Sequence, residues 1–95
     1  MPGYLVAQLK VHDREMFARY RDAVAPLVGR FGGRYLVRGG KLDVLEGDWP
    51  MPRLVVIEFQ SVAAARHFYE SPEYQQILRL RTGSAGGTVA IVEGV

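Results

Sequence analysis

Three charged side chains, distant along the chain, are the first candidates for chemistry in this sequence. Arg38 ends a short apolar segment, Glu46 follows it, and Arg81 lies near the end of the last helical segment. A guanidinium group presents its N–H donors in a planar fork, and a neighbouring carboxylate would hold that fork in place. The three residues therefore predict a site for an anionic or carbonyl-bearing ligand. The alternative is a structural ion pair that fixes a hairpin and a helix end.

Trp49 and Tyr74 are the aromatic candidates for the same site. Trp49 lies in the proline-flanked loop Gly47–Pro52, where we expect it to close a pocket or to dock on a partner subunit. Tyr74 belongs to an aromatic set that could line a flat cavity between sheet and helices, whereas Phe68 and Tyr69 are expected in the core. The candidate ligand-binding residues are therefore Arg38, Glu46, Trp49, Tyr74 and Arg81.

The remaining titratable groups give weaker indications. Glu58 shares a strand face with Leu54 and Val56, so burial would raise its pKa and suit it to proton transfer, but pairing with a nearby arginine is the simpler expectation. His12 and His67 have no second ligand at metal-binding spacing, so no metal site is predicted. His67 is expected to be a partly exposed helix residue rather than a general base. No catalytic residue and no cofactor are assigned.

The segment Arg53–Gln60 is the strand around which the other elements must be organised. Five of its first seven residues are apolar, which predicts that both of its faces are covered. Residues 4–11 alternate between an apolar and a mixed face, which is typical of another strand. Asp13 is the predicted N-cap of a long helix over residues 14–31, in which Pro26 is expected to cause a kink or a weakened turn.

The other elements follow from turn and capping residues. Residues 34–38 form a predicted second strand, and Leu42–Glu46 is expected to pair with it across a Gly39–Gly40 turn or to continue it. Ser61 and Ser71 are predicted caps of two short helices. Residues 82–87 are predicted to be a flexible connection, and the last strand is expected at 88–93.

This order predicts an α+β fold, the ferredoxin-like βαββαβ arrangement with a four-stranded antiparallel sheet, in one domain over residues 1–95. Right-handed crossovers place all helices on one face of the sheet. The other face then exposes apolar strand residues that a chain of this size cannot cover. We therefore expect a homodimer through the open sheet face, a dimeric alpha-beta barrel.

Size, charge and composition limit the classes of function. The 95 residues are 48% hydrophobic with a formal net charge of +2, and ten of the twelve basic residues are arginine. Absence of cysteine excludes disulfides and thiolate catalysis. No apolar run is long enough to span a membrane and no signal peptide is recognised, so a cytoplasmic location is expected. RNA binding is not expected, because residues 53–59 lack the outward aromatic side chains on which bases stack.

Several segments together resemble a known family. They are Gly32–Gly40, Leu45–Trp49, Leu54–Phe59, Ala65–Tyr74 and Leu80-Arg81, and in this combination the chain is similar to the domain-of-unknown-function 1330 family. The resemblance implies membership of the dimeric alpha-plus-beta barrel superfamily, and thus a homodimer of ferredoxin-like subunits. It implies no reaction. Phe68 stands where many members have tryptophan, which would reshape a pocket beneath the helix.

Two functions from different classes follow. The first is a small-molecule-binding homodimer, with a cofactor-independent monooxygenase or isomerase acting on a carbonyl-bearing compound as its catalytic form. The second is a non-catalytic structural or stress-related dimeric module. The two are distinguished by whether Arg38, Glu46 and Arg81 saturate one another or leave room for a ligand.

Overall fold

The computed structural model of the protein describes all residues from 1 to 95. The elements in chain order are β1 (Gly3–Val11), α1 (Arg14–Arg30), β2 (Arg34–Arg38), β3 (Arg53–Phe59), α2 (Val62–Glu70), α3 (Pro72–Thr82) and β4 (Ala85–Glu93). The four strands form one sheet in the order β2-β3-β1-β4, and all neighbours are antiparallel. The predicted α+β class and ferredoxin-like arrangement are confirmed. No helix has the length and apolar character needed to cross a membrane.

The alternation in β1 decides where the core lies. Leu5, Ala7 and Leu9 are buried, whereas Tyr4 and the other residues between them are partly exposed. Apolar residues of all three helices cover this inner face: Val24, Leu27, Val28, Ala65, Phe68 and Tyr74 belong to the same core cluster as Leu5. The apolar residues that recur every two positions in the strand thus pack, on one face of the sheet, against those that recur every three to four positions in the helices.

Local capping fixes the ends of the helices. The side chain of Asp13 accepts a hydrogen bond from the Met16 N–H at 3.1 Å and caps α1 as predicted. Pro26 lies inside α1, which continues without a break to Arg30. The Oγ atoms of Ser61 and Ser71 accept from backbone N–H groups three residues later, at 3.0 Å and 3.1 Å, and cap α2 and α3. Ser71 therefore separates the two helices.

The predicted hairpin at Gly39–Gly40 is wrong. Residues 42–46 form no strand; instead residues 39–52 are a loop, and β2 pairs with β3 beyond it. Arg38 consequently lies opposite Val55 of β3. The physical reason is that β3 provides a longer and more apolar partner for β2 than the short segment Leu42–Glu46 does.

The predicted flexible connection before the last strand is also wrong in part. β4 begins at Ala85, and Gly86 and Gly87 pair with Lys10 and Leu9 of β1. Gly87 has a φ of +149°, and a Cβ at this position would collide with the carbonyl oxygen of Gln8. Glycine here serves a close approach of two strands rather than a mobile linker.

The outer face of the sheet is uncovered within one chain. Strand pairing places Val6 and Gln8 of β1 beside Leu54 and Val56 of β3 on this face. These four residues remain partly exposed, and the exposed Val92 of β4 lies at the same level as Tyr4.

Candidate functional site

A cavity of about 40 Å³ lies between the inner face of the sheet and the helices. Of the 16 residues that line it, 12 are apolar or aromatic and the other four are all arginine. A cavity of about 150 Å³ holds a benzene ring, and one water molecule needs roughly 10–15 Å³. The enclosed space therefore holds two or three heavy atoms of a ligand, and a larger molecule would extend through an opening.

All the charged side chains that line the cavity are positive. Its arginines are Arg21 of α1, Arg38 of β2, Arg53 of β3 and Arg81 of α3, and no aspartate, glutamate or histidine lines it. The ion pairs of the chain use other arginines: Arg30 with Glu73, Arg34 with Glu58, and Arg66 with Glu70. The four cavity guanidinium groups thus have no carboxylate partner.

A β-bulge places Arg38 at the cavity. Tyr35 lies opposite Ile57 on the inner face, but the register shifts before Val37, which lies opposite Val56 on the outer face. Arg38 then pairs with Val55 and returns to the inner face. Without the register shift, Arg38 would lie opposite Leu54 and share the outer face with Arg34, since side chains alternate along a strand.

Arg53 is the least satisfied polar side chain of the site. Its Nε atom is buried and has no hydrogen-bond partner. Its guanidinium carbon lies 5.1 Å from the ring centre of Phe17. Gly39, with a φ of +67°, leaves room for this guanidinium group, because a Cβ there would collide with it. Burial, and secondly the charges of Arg21 and Arg38, lower the pKa of Arg53.

A chain of hydrogen bonds crosses the other side of the cavity. Arg81, only 8% exposed, donates from Nε to the hydroxyl of Tyr74 at 3.3 Å, and this hydroxyl lies 2.9 Å from the hydroxyl of Tyr20. Arginine is only a donor, so the Tyr74 oxygen accepts and its own proton is directed to Tyr20 or to the cavity. Burial, followed by the neighbouring Tyr74, raises the pKa of Tyr20 far above its usual value, so this hydroxyl stays neutral.

Tyr35 and Arg38, both in the cavity wall, contact each other. The guanidinium carbon of Arg38 lies 4.4 Å from the centre of the Tyr35 ring, a cation–π contact. Burial raises the pKa of Tyr35, and the charge of Arg38 opposes part of that rise. The cavity therefore presents neutral phenol groups together with guanidinium cations.

The opening of the cavity is formed by three of the arginines. A polar depression on the surface is lined by Arg21, Arg38 and Arg53, which also line the cavity, and by Asp22 and Gly39. These three side chains lie between the apolar interior and solvent. Asp22 borders the depression but forms no ion pair.

Comparison with known proteins identifies the family. The family model described as "Domain of unknown function (DUF1330)" matches residues 2–95. The chain belongs to the DUF1330 family. The predicted resemblance is confirmed over nearly the whole chain.

Solved structures show the same fold as the DUF1330 chain. One is the RPA0582 protein of unknown function from Rhodopseudomonas palustris, with a TM-score of 0.78 at 18% identity, covering 99% of this chain and 82% of that one. Its methylated form gives a TM-score of 0.80 at 17% identity and covers 99% and 81%. Rv0793 from Mycobacterium tuberculosis gives a TM-score of 0.59 at 16% identity and covers 100% and 96%. A comparison with curated proteins finds no significant match.

The structure of the DUF1330 chain brings together three of the five candidate residues. Arg38, Tyr74 and Arg81 line the cavity. Glu46 and Trp49 lie in the loop between β2 and β3, outside the cavity wall. Glu46 is exposed and forms no ion pair, and Trp49 is 40% exposed.

The other titratable residues of the DUF1330 chain lie away from the cavity. Glu58 is on the outer face and pairs with Arg34 at 2.8 Å, the simpler of the two expectations. His67 is an exposed helix residue whose ring lies 5.5 Å from that of Phe31. No three side chains of histidine, aspartate or glutamate come together in a way that could hold a metal ion.

Sequence reasoning missed Arg21, Arg53 and Tyr20 as site residues. A usable signal was present for Tyr20 and Arg53, which are polar residues at core-facing positions, whereas Arg21 is exposed and only borders the cavity. Arg21 and Tyr20 lie between Phe17 and Val24 at helical spacing, and Arg53 shares the inner strand face with Val55. An arginine at a core-facing position without a carboxylate nearby is a candidate ligand-binding residue.

Proposed function

We propose that the protein is a homodimeric small-molecule-binding protein and that the cavity bordered by Arg38, Tyr74 and Arg81 is its ligand site. The observation that carries the proposal is that four arginines line one apolar cavity and none of them pairs with a carboxylate. Few polar groups set into apolar walls are typical of sites that orient a small ligand.

The energetics of burial support a ligand. A buried charge is unfavourable unless it is paired or hydrogen-bonded, and Arg81 is almost entirely buried with a tyrosine hydroxyl as its partner. A purely structural module would be expected to saturate its arginines. Glu46, the carboxylate proposed for that purpose, is exposed and unpaired, so the structural alternative loses its main support.

The chemistry of the walls limits what a catalytic form could do. Guanidinium and phenol groups would stabilise an oxyanion or enolate that develops on a carbonyl-bearing compound. Such stabilisation fits the proposed cofactor-independent monooxygenase or isomerase. The walls contain no carboxylate or imidazole to take up a proton, so the substrate would have to ionise into solvent. Ligand binding is therefore the function that the geometry supports best.

The homodimer is proposed through the outer face of the sheet. Val6, Leu54 and Val56 form a partly exposed apolar strip there, and two such sheets could pack at a spacing of about 10 Å. The loop between β2 and β3 adds exposed apolar residues with nothing of the same chain over them, Val44 at 44%, Leu45 at 87% and Trp49 at 40%. Apolar exposure on this scale is typical of a surface that meets another chain. We also propose that the protein is located in the cytoplasm and does not bind nucleic acid.

The ligand site is tested by titrating butyrate, butyramide and 2-butanone into isotopically labelled protein and following backbone amide shifts by NMR. We expect at least one compound to shift the amides of cavity residues such as Ala7, Val55 and Val89. Ala7→Val fills the cavity and should abolish these shifts. Ala90→Val makes the same change on the outer face and should leave them intact. If none of the three compounds shifts the cavity amides of the wild-type protein, the proposed site is wrong.

A further inference from the structure

Arg21, Arg38 and Arg53 bring three like charges to one side of the cavity. Burial, and then the charges of Arg21 and Arg38, lower the pKa of Arg53, so its charged form is disfavoured at this position. No carboxylate forms an ion pair with any member of the cluster. Gathering like charges without counter-charge is a cost that an anion would remove.

The geometry also indicates where the anion would bind. Arg38 and Arg53 lie on adjacent strands, line both the cavity and the surface depression, and belong to paired backbone segments at the same end of the sheet. The buried Nε of Arg53 lacks an acceptor. A carboxylate offers two oxygens in one plane and can take N–H donors from two guanidinium groups at once.

The interior limits the rest of the ligand. Beyond the arginines and the tyrosine hydroxyls the walls are apolar, with Phe17, Val55 and Val89 among them, and the volume of about 40 Å³ encloses only two or three heavy atoms. A bulky group would not fit this space. A short aliphatic chain attached to the carboxylate would.

We propose that the cavity selects a carboxylate with a short aliphatic chain, held by Arg38 and Arg53 at the opening with two or three carbons enclosed. The ligand is a free short-chain carboxylic acid, because its carboxylate lies at the opening and its hydrocarbon end is enclosed. This inference rests on the proposed ligand site and specifies its substrate class. Arg21 contributes charge at the opening, and the Arg81–Tyr74–Tyr20 chain closes the far side.

The test compares butyrate with butyramide, which has nearly the same shape and no charge, in NMR titrations at fixed ionic strength. We expect the wild-type protein to bind butyrate at least tenfold more tightly. In the series acetate, propionate and butyrate, affinity should rise about fourfold per methylene group. It should stop rising once the cavity is filled. Affinity for butyrate should also fall with added salt, because the opening faces solvent.

Substitutions distinguish a specific role of the cavity arginines from an effect of the overall positive charge of the protein. Arg53→Gln and Arg38→Gln should each reduce the affinity for butyrate to the level of butyramide without weakening butyramide. Arg19→Gln changes an exposed arginine of α1 outside the cavity and should have no effect. Gly39→Ala changes no arginine, but its added methyl group would occupy the position of the Arg53 guanidinium group. This variant should therefore also weaken butyrate binding.

Each outcome decides the inference. Equal affinity for butyrate and butyramide, with cavity amides shifting in both titrations, would overturn the carboxylate preference and leave the ligand site standing. Binding of 2-butanone alone would have the same consequence, and binding of none of the three compounds would overturn both. Longer chains that bind better without limit would show that the enclosed space is not what selects the ligand.

Discussion

At the level of single residues, Tyr20 illustrates how position changes the chemistry of a side chain. Its hydroxyl is enclosed by the cavity wall and shares a hydrogen bond with Tyr74 at 2.9 Å. Burial disfavours the phenolate, which raises the pKa of Tyr20 in the folded state above the ordinary value of 10.0. The unfolded chain has no such restriction.

This difference predicts a pH dependence of stability. Above about pH 10 the unfolded state loses the Tyr20 proton while the folded state retains it, so the stability present below pH 10 declines as pH rises. The slope contributed by one such group approaches about 1.4 kcal/mol per pH unit. Urea unfolding of the wild type and of Tyr20→Phe between pH 8 and about pH 10.5 checks this. The variant should be less stable at pH 8 by about 1 kcal/mol, from the lost hydrogen bond, but should lose less with rising pH. Parallel pH profiles would contradict the assignment.

Burial shifts the pKa of Arg53 in the opposite direction from that of Tyr20. Burial raises the pKa of a phenol but lowers that of a guanidinium group, because in each case the charged form is disfavoured. The guanidinium group of Arg53 lies against the ring of Phe17, and that of Arg38 lies against the ring of Tyr35. Aromatic rings, rather than carboxylates, are thus the partners of these two cations.

At the level of elements, Ser71 is the residue that places Tyr74 in the cavity wall. Its Oγ accepts from the Tyr74 N–H at 3.1 Å and donates to the Phe68 carbonyl at 2.8 Å, and the residue is 4% exposed. One side chain therefore ends α2 and begins α3. The break between the two helices sets the direction in which the aromatic rings of Phe68 and Tyr74 meet, 4.9 Å apart.

We expect Ser71→Ala to destabilise the fold by about 1–2 kcal/mol, the upper part of the range for a lost N-cap, because Ser71 is buried and makes a second hydrogen bond. Ser61→Ala is the matched control, since Ser61 caps α2 with one hydrogen bond at 3.0 Å and is only half-buried. It should cost less, because it leaves no buried partner without its bond. Denaturant unfolding of both variants measures the difference, and equal losses would mean that the second hydrogen bond of Ser71 contributes nothing.

The β-bulge in β2 determines on which face of the sheet Arg38 lies. A single register shift between Tyr35 and Val37 moves Arg38 from the outer to the inner face, and Leu36 remains 45% exposed. In a regular strand that kept all five residues, Arg38 would lie opposite Leu54 and point away from the cavity. The bulge is thus a feature of the site as much as of the sheet.

At the level of the whole molecule, the outer sheet face is the feature that one chain leaves incomplete. We predict that Val56→Arg abolishes self-association, because a charged group at the middle of an apolar interface would be left buried without a partner. Sedimentation equilibrium at micromolar concentration should show a dimer for the wild type and a monomer for the variant. Ala63→Arg introduces the same charge on the exposed surface of α2 and should remain dimeric. A wild-type protein that is monomeric and folded would end the dimer proposal.

The sequence by itself determined the fold class, the order of elements, the helix caps and the presence of an uncovered apolar face. These properties depend on local periodicity and on capping side chains, such as Asp13 and Ser71, which act within a few residues of chain. The segment Arg53–Phe59 was recognisable as a strand for the same reason.

Only the tertiary structure decided the composition of the site. Which strand pairs with β2, and in which register, depends on contacts between segments far apart in the sequence, so the loop at residues 39–52 and the inward turn of Arg38 were not visible in the local pattern. The same holds for the arginines. Arg21, Arg38, Arg53 and Arg81 come from four elements, and only the packing of α1 and α3 on the sheet brings their charges to one cavity.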